Sequence, residues 1–202
     1  MNDQIEIDER WVDEILQIRN RSKQVTHATD LIAFYGSSSI RLWDQMARDL
    51  APLNTINLGF GGSSYFYCKE YFEEVFEYIT PSKVILYAGD NDLGSEVPQE
   101  EILNNVNQLI QKIIGKYGSI EIGIISVKPS PDRLYLKNEI ESLNQALLEI
   151  TQSFDQGFFI DIYQAMLDDQ GNVQPSLYIE VQWLLKKNGY KRWRRVVGYR
   201  WN

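Results

Sequence analysis

The chain has 202 residues, 44% of them hydrophobic and 12% aromatic, with 28 acidic and 20 basic side chains and a net charge of −8. That length supports one domain with a sizeable core, and no stretch approaches the roughly 20 apolar residues that span a bilayer. Four acids among the first ten residues speak against a secretory leader, and Cys68, the one cysteine, closes no internal disulfide, which fits a cytoplasmic location.

Taken in chain order, Trp11, Ile15, Leu16 and Ile18 predict an amphipathic helix over about residues 8–21. An apolar run at 31–35 reads as a buried strand ending at Gly36. Ile40, Trp43, Met46, Ala47 and Leu50 then have helical spacing, closed by Pro52. A second strand over 55–58 ends at Gly59, and an aromatic-rich helix over 65–79 stops before Pro81. Strand 83–88 runs into Gly89-Asp90-Asn91-Asp92, and Pro98 opens a helix to about Gly115. Strand 120–127 ends in Lys128-Pro129-Ser130-Pro131. Helix 134–152, strand 158–162 and a last helix over 186–197 complete the chain. Strands alternating with helices predict βαβ units and a three-layer α/β/α sandwich around a mainly parallel sheet. No repeat or linker divides it, so a single domain over 1–202 is expected.

Three of the predicted strands end in segments with chemical content. In an open α/β sheet, ligands bind outside the carboxyl ends of the strands, so these segments would share one edge. Gly36-Ser37-Ser38-Ser39 opens a helix, where a hydroxyl meets backbone N–H groups that stabilise an oxyanion; helix capping is the competing reading. Asn57-Leu58-Gly59-Phe60-Gly61-Gly62 supplies a glycine turn that a ligand can approach closely, or an ordinary strand-to-helix turn. Gly89-Asp90-Asn91-Asp92 offers a carboxamide donor, a pair of carboxylates for a divalent metal, or a plain turn.

In order and spacing, these segments resemble the first three of the four catalytic blocks of the SGNH (GDSL) hydrolase family, and with the later segments named below the resemblance runs across nearly the whole chain. The resemblance makes Ser38 the counterpart of the nucleophile, with Ser37 where the family has Asp. It puts the oxyanion hole on Ser38, Gly62 and the side chain of Asn91. Lys128 to Pro131 and Asn188-Gly189-Tyr190 with Trp193 also look like segments of small bacterial members. The implied activity is that of a serine esterase or acylhydrolase acting on small acyl esters without a cofactor and without a metal.

The fourth catalytic block does not match. The family has Asp-x-x-His shortly before its Gly-Tyr, and counting back from Gly189-Tyr190 puts those positions at Val181 and Leu184. Neither can carry or orient a proton. The one histidine, His27, precedes the first strand by a few residues, which directs it toward the opposite edge of the sheet. Low or no activity is therefore expected, and the alternative is a non-catalytic module binding a small ligand, an anionic lipid or a protein partner.

Charge is uneven as well. Residues 181–202 hold seven of the 20 basic side chains and none of the 28 acids, beside Trp183, Trp193 and Trp201, which leaves −15 on the first 180 residues. The acidic body excludes a general nucleic-acid binder. The basic tail is either a surface for anionic headgroups or an acidic partner, or the solvated face of a helix packed through Tyr190, Trp193 and Val197. Oligomeric state is left open, a homodimer included.

Overall fold

The computed structural model describes residues 9–25 and 29–201. In chain order the elements are α1 (Glu9–Lys23), β1 (Ile32–Gly36), α2 (Ser38–Arg41), α3 (Met46–Asp49), β2 (Thr55–Gly59), α4 (Tyr65–Glu70), α5 (Phe72–Val75), β3 (Lys83–Tyr87), α6 (Asp90–Gly94), α7 (Gln99–Tyr117), β4 (Glu121–Ile125), α8 (Lys137–Gln152), β5 (Gly157–Ile160) and α9 (Lys187–Tyr199). The five strands are parallel throughout, in the order β2-β1-β3-β4-β5. This is the doubly wound order whose direction reverses between β1 and β3.

Both faces of the sheet are covered, and the strand sequences show why. Along β1, Ala33 and Tyr35 join one core while Ile32 and Phe34 join the other; along β3, Val84 and Leu86 oppose Ile85 and Tyr87 in the same way. Alternate side chains of a strand leave opposite faces, so a continuous apolar run is what a doubly covered strand requires. Helices α1, α4, α5, α7 and α8 pack into the first core, and α2, α3 and α9 into the second. Helix α7 buries Ile102, Val106, Leu109, Ile110 and Ile113, the stripe its spacing dictates.

Three predicted helices are shorter or more broken than their spacing suggests. The run from Ile40 to Leu50 is two single turns, α2 and α3. Between them Trp43 turns into the core, 1% exposed, with its indole N–H donating to Asp49 at 3.0 Å and its ring stacked on Tyr190 at 5.5 Å. The run over 65–79 breaks at Tyr71, and a 3₁₀ turn over Pro131–Leu136 precedes α8. Burying a large ring outweighs helical continuity in the first of these, because it contributes about 1.5–3 kcal/mol, whereas a single helical turn gains little on its own. The Gly89 to Asp92 segment, read as a loop, is the start of α6.

The last helix packs as the apolar reading expects. Tyr190, Trp193 and Val197 are buried, while Lys187, Lys191, Arg194, Arg195 and Arg200 are exposed. Among the described residues no helix is long and apolar enough to cross a membrane. His27 lies outside the described residues.

Candidate active site

The ends of β1, β2 and β3 are pinned together by backbone. Gly36 has φ +150°, and a Cβ on it would lie 1.8 Å from the Tyr87 carbonyl, so only glycine lets β1 end this close to β3. Beyond it, the Ser37 N–H donates to the Tyr87 carbonyl at 2.9 Å, and the Phe60 N–H donates to the Gly36 carbonyl at 2.9 Å. Ser38 therefore starts α2 at the reversal point between β1 and β3, where the chain leaves a crevice.

Of the three consecutive serines, Ser37 and Ser39 are each 2% exposed, and Ser38 is the one with solvent access. The Ser37 side chain makes no capping hydrogen bond, so capping does not account for the triplet. The Ser39 carbonyl accepts from the Tyr190 hydroxyl at 2.9 Å, which ties α9 to the serine segment.

The glycine turn is held from two sides. Asn57 donates to the Ile40 carbonyl at 2.6 Å and accepts from the Gly59 N–H at 3.0 Å, clasping β2 to α2. From α1, Glu14 accepts the Gly61 N–H at 2.7 Å and the Trp11 indole donates to the Gly61 carbonyl at 2.5 Å. With the Gly61 peptide clamped, Gly62 adopts φ +71°, a left-handed conformation that glycine takes without strain. A Cβ there would meet nothing within 4 Å, so conformation and not space selects glycine. Nothing in the local sequence signals the Trp11 and Glu14 clamp, since it joins residues some 50 positions apart.

Asn91, the second residue of α6, donates to the Ser63 carbonyl at 3.0 Å. That bond joins the β3 end to the glycine turn and uses one of two amide hydrogens. The flanking carboxylates go to different partners. Asp92 is buried and accepts the Gly89 and Tyr65 N–H groups at 3.0 and 3.1 Å. Burial outweighs those bonds and pushes its carboxyl up to about 6. Asp90 turns the other way, to Lys128 Nζ at 2.8 Å and Arg133 Nη1 at 2.7 Å. Burial alone would lower the Lys128 ammonium, but the Asp90 carboxylate and the Tyr87 hydroxyl outweigh it and hold the cation charged. The sequence marked this lysine only as part of a segment after β4; its ion pair was not legible there. Among the described residues no group of three or more His, Cys, Asp or Glu side chains is arranged for a metal ion.

Val181 and Leu184 fall in a tight turn before α9. Tyr178 and Leu185 form an antiparallel bridge, and between them the Ile179 N–H donates to the Leu184 carbonyl and the Gln182 N–H to the Ile179 carbonyl. Gln182 sits at φ +53°. Val181 is 41% exposed and Leu184 partly buried. The flanks of this turn are anchored on the same sheet edge as Ser38, Tyr178 through its hydroxyl to the Pro129 carbonyl and Tyr190 to Ser39. The backbone thus brings the turn to that edge, while its side chains are hydrocarbon.

Among solved structures, the chain is similar to a protein from Streptococcus pneumonia provisionally named as a platelet activating factor. Identity is 23%, 93% of this chain and 92% of that one are covered, and the TM-score is 0.78. A GDSL-like lipase from Bacteroides thetaiotaomicron is 18% identical, with 95% of each chain covered and a TM-score of 0.69. The OSK domain of Drosophila Oskar is 14% identical, with 84% and 87% covered and a TM-score of 0.67. At such identities the likeness is one of fold. No curated protein matches the chain. The model of the GDSL-like lipase/acylhydrolase family matches residues 27–179, a span that holds Ser38, Gly62 and Asn91 and stops short of Val181. With most of its length matched, the chain belongs to the GDSL-like lipase/acylhydrolase family.

Proposed function

We propose that this protein receives the carbonyl group of a small acyl ester at Ser38, Gly62 and Asn91 and turns it over slowly. Ser38 is the nucleophile. Its backbone N–H, the Gly62 N–H and the remaining Asn91 amide hydrogen are the donors to the developing oxyanion. The observation that supports this reading is the bond from Asn91 to the Ser63 carbonyl, because it joins the β3 end to the glycine turn after β2, and Ser38 is partly exposed at the end of β1, the strand between those two. Attack begins from a neutral hydroxyl, since Val181 and Leu184 stand where the family has its acid and imidazole. In subtilisin the loss of the catalytic histidine costs about 10⁶ in turnover and leaves about 10³–10⁴ over water.

The test is p-nitrophenyl acetate hydrolysis by the full chain and by Ser38→Ala. A serine-dependent rate, small but lost in the variant, is the expected result. Equal rates would reject serine catalysis and leave the second reading, a non-catalytic module whose basic segment over 181–202 meets an anionic lipid or an acidic protein.

A further inference from the structure

The turn over 178–185 leaves two large apolar side chains in water at the sheet edge that carries Ser38: Ile179 is 36% and Val181 41% exposed. Beside Ile179 opens a cavity of about 640 Å³, between this turn and the connection from α2 to α3. That volume falls within the roughly 300–1,000 Å³ usual for small-molecule sites. Its apolar lining is Leu42, Trp43, Ile179, Leu185 and Tyr190. The two buried polar groups on these side chains are already bonded, the Trp43 indole to Asp49 and the Tyr190 hydroxyl to the Ser39 carbonyl. Asp44, Arg48, Lys186 and Lys187 also border it, but they are exposed and keep their water. What this cavity offers a ligand is therefore apolar surface.

Two bonds tie the cavity to Ser38. The Leu42 N–H donates to the Ser38 carbonyl at 2.9 Å, so the two residues stand one helical turn apart on one face, with Cβ atoms about 5–6 Å apart. Tyr190 is bonded to the carbonyl of the residue after Ser38. The other flank of Ser38 belongs to the glycine turn, because the Arg41 guanidinium lies against Gly61, 3.0 Å from where a Cβ would be. A carbonyl held between Ser38 and Gly62 thus has the glycine turn on one side and Leu42, with the cavity beyond it, on the other.

Resting on the reading of Ser38, Gly62 and Asn91 as the carbonyl site, we infer that the ester carries an unbranched hydrocarbon chain of about six carbons, which passes over Leu42 and lies in this cavity. The chain must exceed the separation of about 5–6 Å between Ser38 and Leu42; an acetyl group does not, and a hexanoyl group does. Each methylene that leaves water there strengthens binding, while a charged chain end would find no unpartnered buried group to receive it.

The experiment is an amide-resolved NMR titration of Ser38→Ala, in which no serine turnover consumes the ligand, with methyl hexanoate. Methyl acetate and hexyl acetate are the comparisons. Saturable shifts are expected at the amides of Leu42, Ile179 and Leu185, with methyl hexanoate binding at least about tenfold more tightly than methyl acetate, as the burial of about two methylenes gives. Tighter binding of methyl hexanoate than of hexyl acetate would place the chain on the acyl side, and the reverse order on the alcohol side. Adding Ile179→Asp should weaken binding about tenfold, whereas adding Leu16→Asp, at an exposed apolar position on α1, should leave it unchanged. Absence of saturable shifts, methyl acetate binding as tightly as both longer esters, or binding indifferent to Ile179→Asp would each overturn the inference. Serine catalysis is judged separately, by the hydrolysis comparison above. Hexanoate binding without serine-dependent hydrolysis keeps the cavity and removes the catalysis; serine-dependent hydrolysis without hexanoate binding does the reverse.

Discussion

Two regions of the same sheet edge have been treated differently. The three strand ends that carry Ser38, Gly62 and Asn91 are locked by long-range bonds from Asn57, Glu14, Trp11 and Asn91 itself. Across from them, the turn with Val181 and Leu184 keeps its backbone anchors at Tyr178 and Tyr190 while carrying no titratable side chain at either position. The contrast separates two requirements that an active enzyme satisfies together. Anchoring a turn depends on aromatic hydroxyls and packing; catalysis depends on what the turn then presents.

The largest expected effect comes from restoring that presentation. Val181→Asp with Leu184→His should raise p-nitrophenyl ester hydrolysis by about 10²–10⁴-fold, the usual range for a positioned acid–base group. The gain should rise with pH through an apparent pKa of about 6–7, and Leu184→His alone should recover part of it. A folded double variant with no gain would mean that the turn and the strand ends no longer face each other across the crevice, and the comparison would fail. Thermal unfolding followed in parallel separates loss of fold from loss of function, because Leu184 is partly buried.

The second test asks whether stability is as unevenly placed as chemistry. Asp90→Ala would leave Lys128 and Arg133 facing each other without their shared anion, and urea unfolding should show a loss of about 3–5 kcal/mol. Lys191→Ala, on the exposed face of α9, should change stability by no more than about 0.5 kcal/mol. Equal losses would show that the basic helix face is part of the folded framework and not a solvated surface.

The smallest effect is a pH dependence that arises at Asp92 in α6. Burial raises the Asp92 carboxyl from its ordinary value of 3.8 to about 6. Between roughly pH 4 and pH 6 the folded protein therefore holds more protons than the unfolded chain, so this group lowers stability as pH rises through that window. The shift corresponds to about 3 kcal/mol at 1.36 kcal/mol per unit. Asp92→Asn should remove that part of the decline, measured as the difference between the two proteins in urea midpoints from pH 4 to pH 7. An unchanged difference across the window would mean that Asp92 is ionised throughout, held by the Gly89 and Tyr65 N–H groups.

How far the sequence could be read follows from the range of each interaction. Strand positions and the glycines closing them were legible because a strand covered on both faces is a run of apolar residues, and a chain that must turn sharply uses glycine. Ser38, Gly62 and Asn91 were legible as motifs at strand ends, and the parallel order then brings strand ends to one edge. The break between α2 and α3 was hidden, because Ile40, Trp43, Met46 and Leu50 keep helical spacing while Trp43 leaves the helix to stack on Tyr190. The clamp on Gly61 from α1 was equally hidden, since no local rule links Trp11 and Glu14 to a turn after β2.

By itself, then, the sequence determined the alternation of strands and helices, the parallel sheet, the segments at its carboxyl edge and the hydrocarbon side chains of Val181 and Leu184, all properties written in neighbouring residues and their spacing. The tertiary structure alone decided which polar groups meet: Asp90 with Lys128 and Arg133, Asn91 with the Ser63 carbonyl, and Tyr190 with the Ser39 carbonyl. The reason is physical. Burial of apolar area is non-directional and leaves its pattern in composition and period, whereas a hydrogen bond or ion pair forms only when folding brings two specific atoms to about 3 Å.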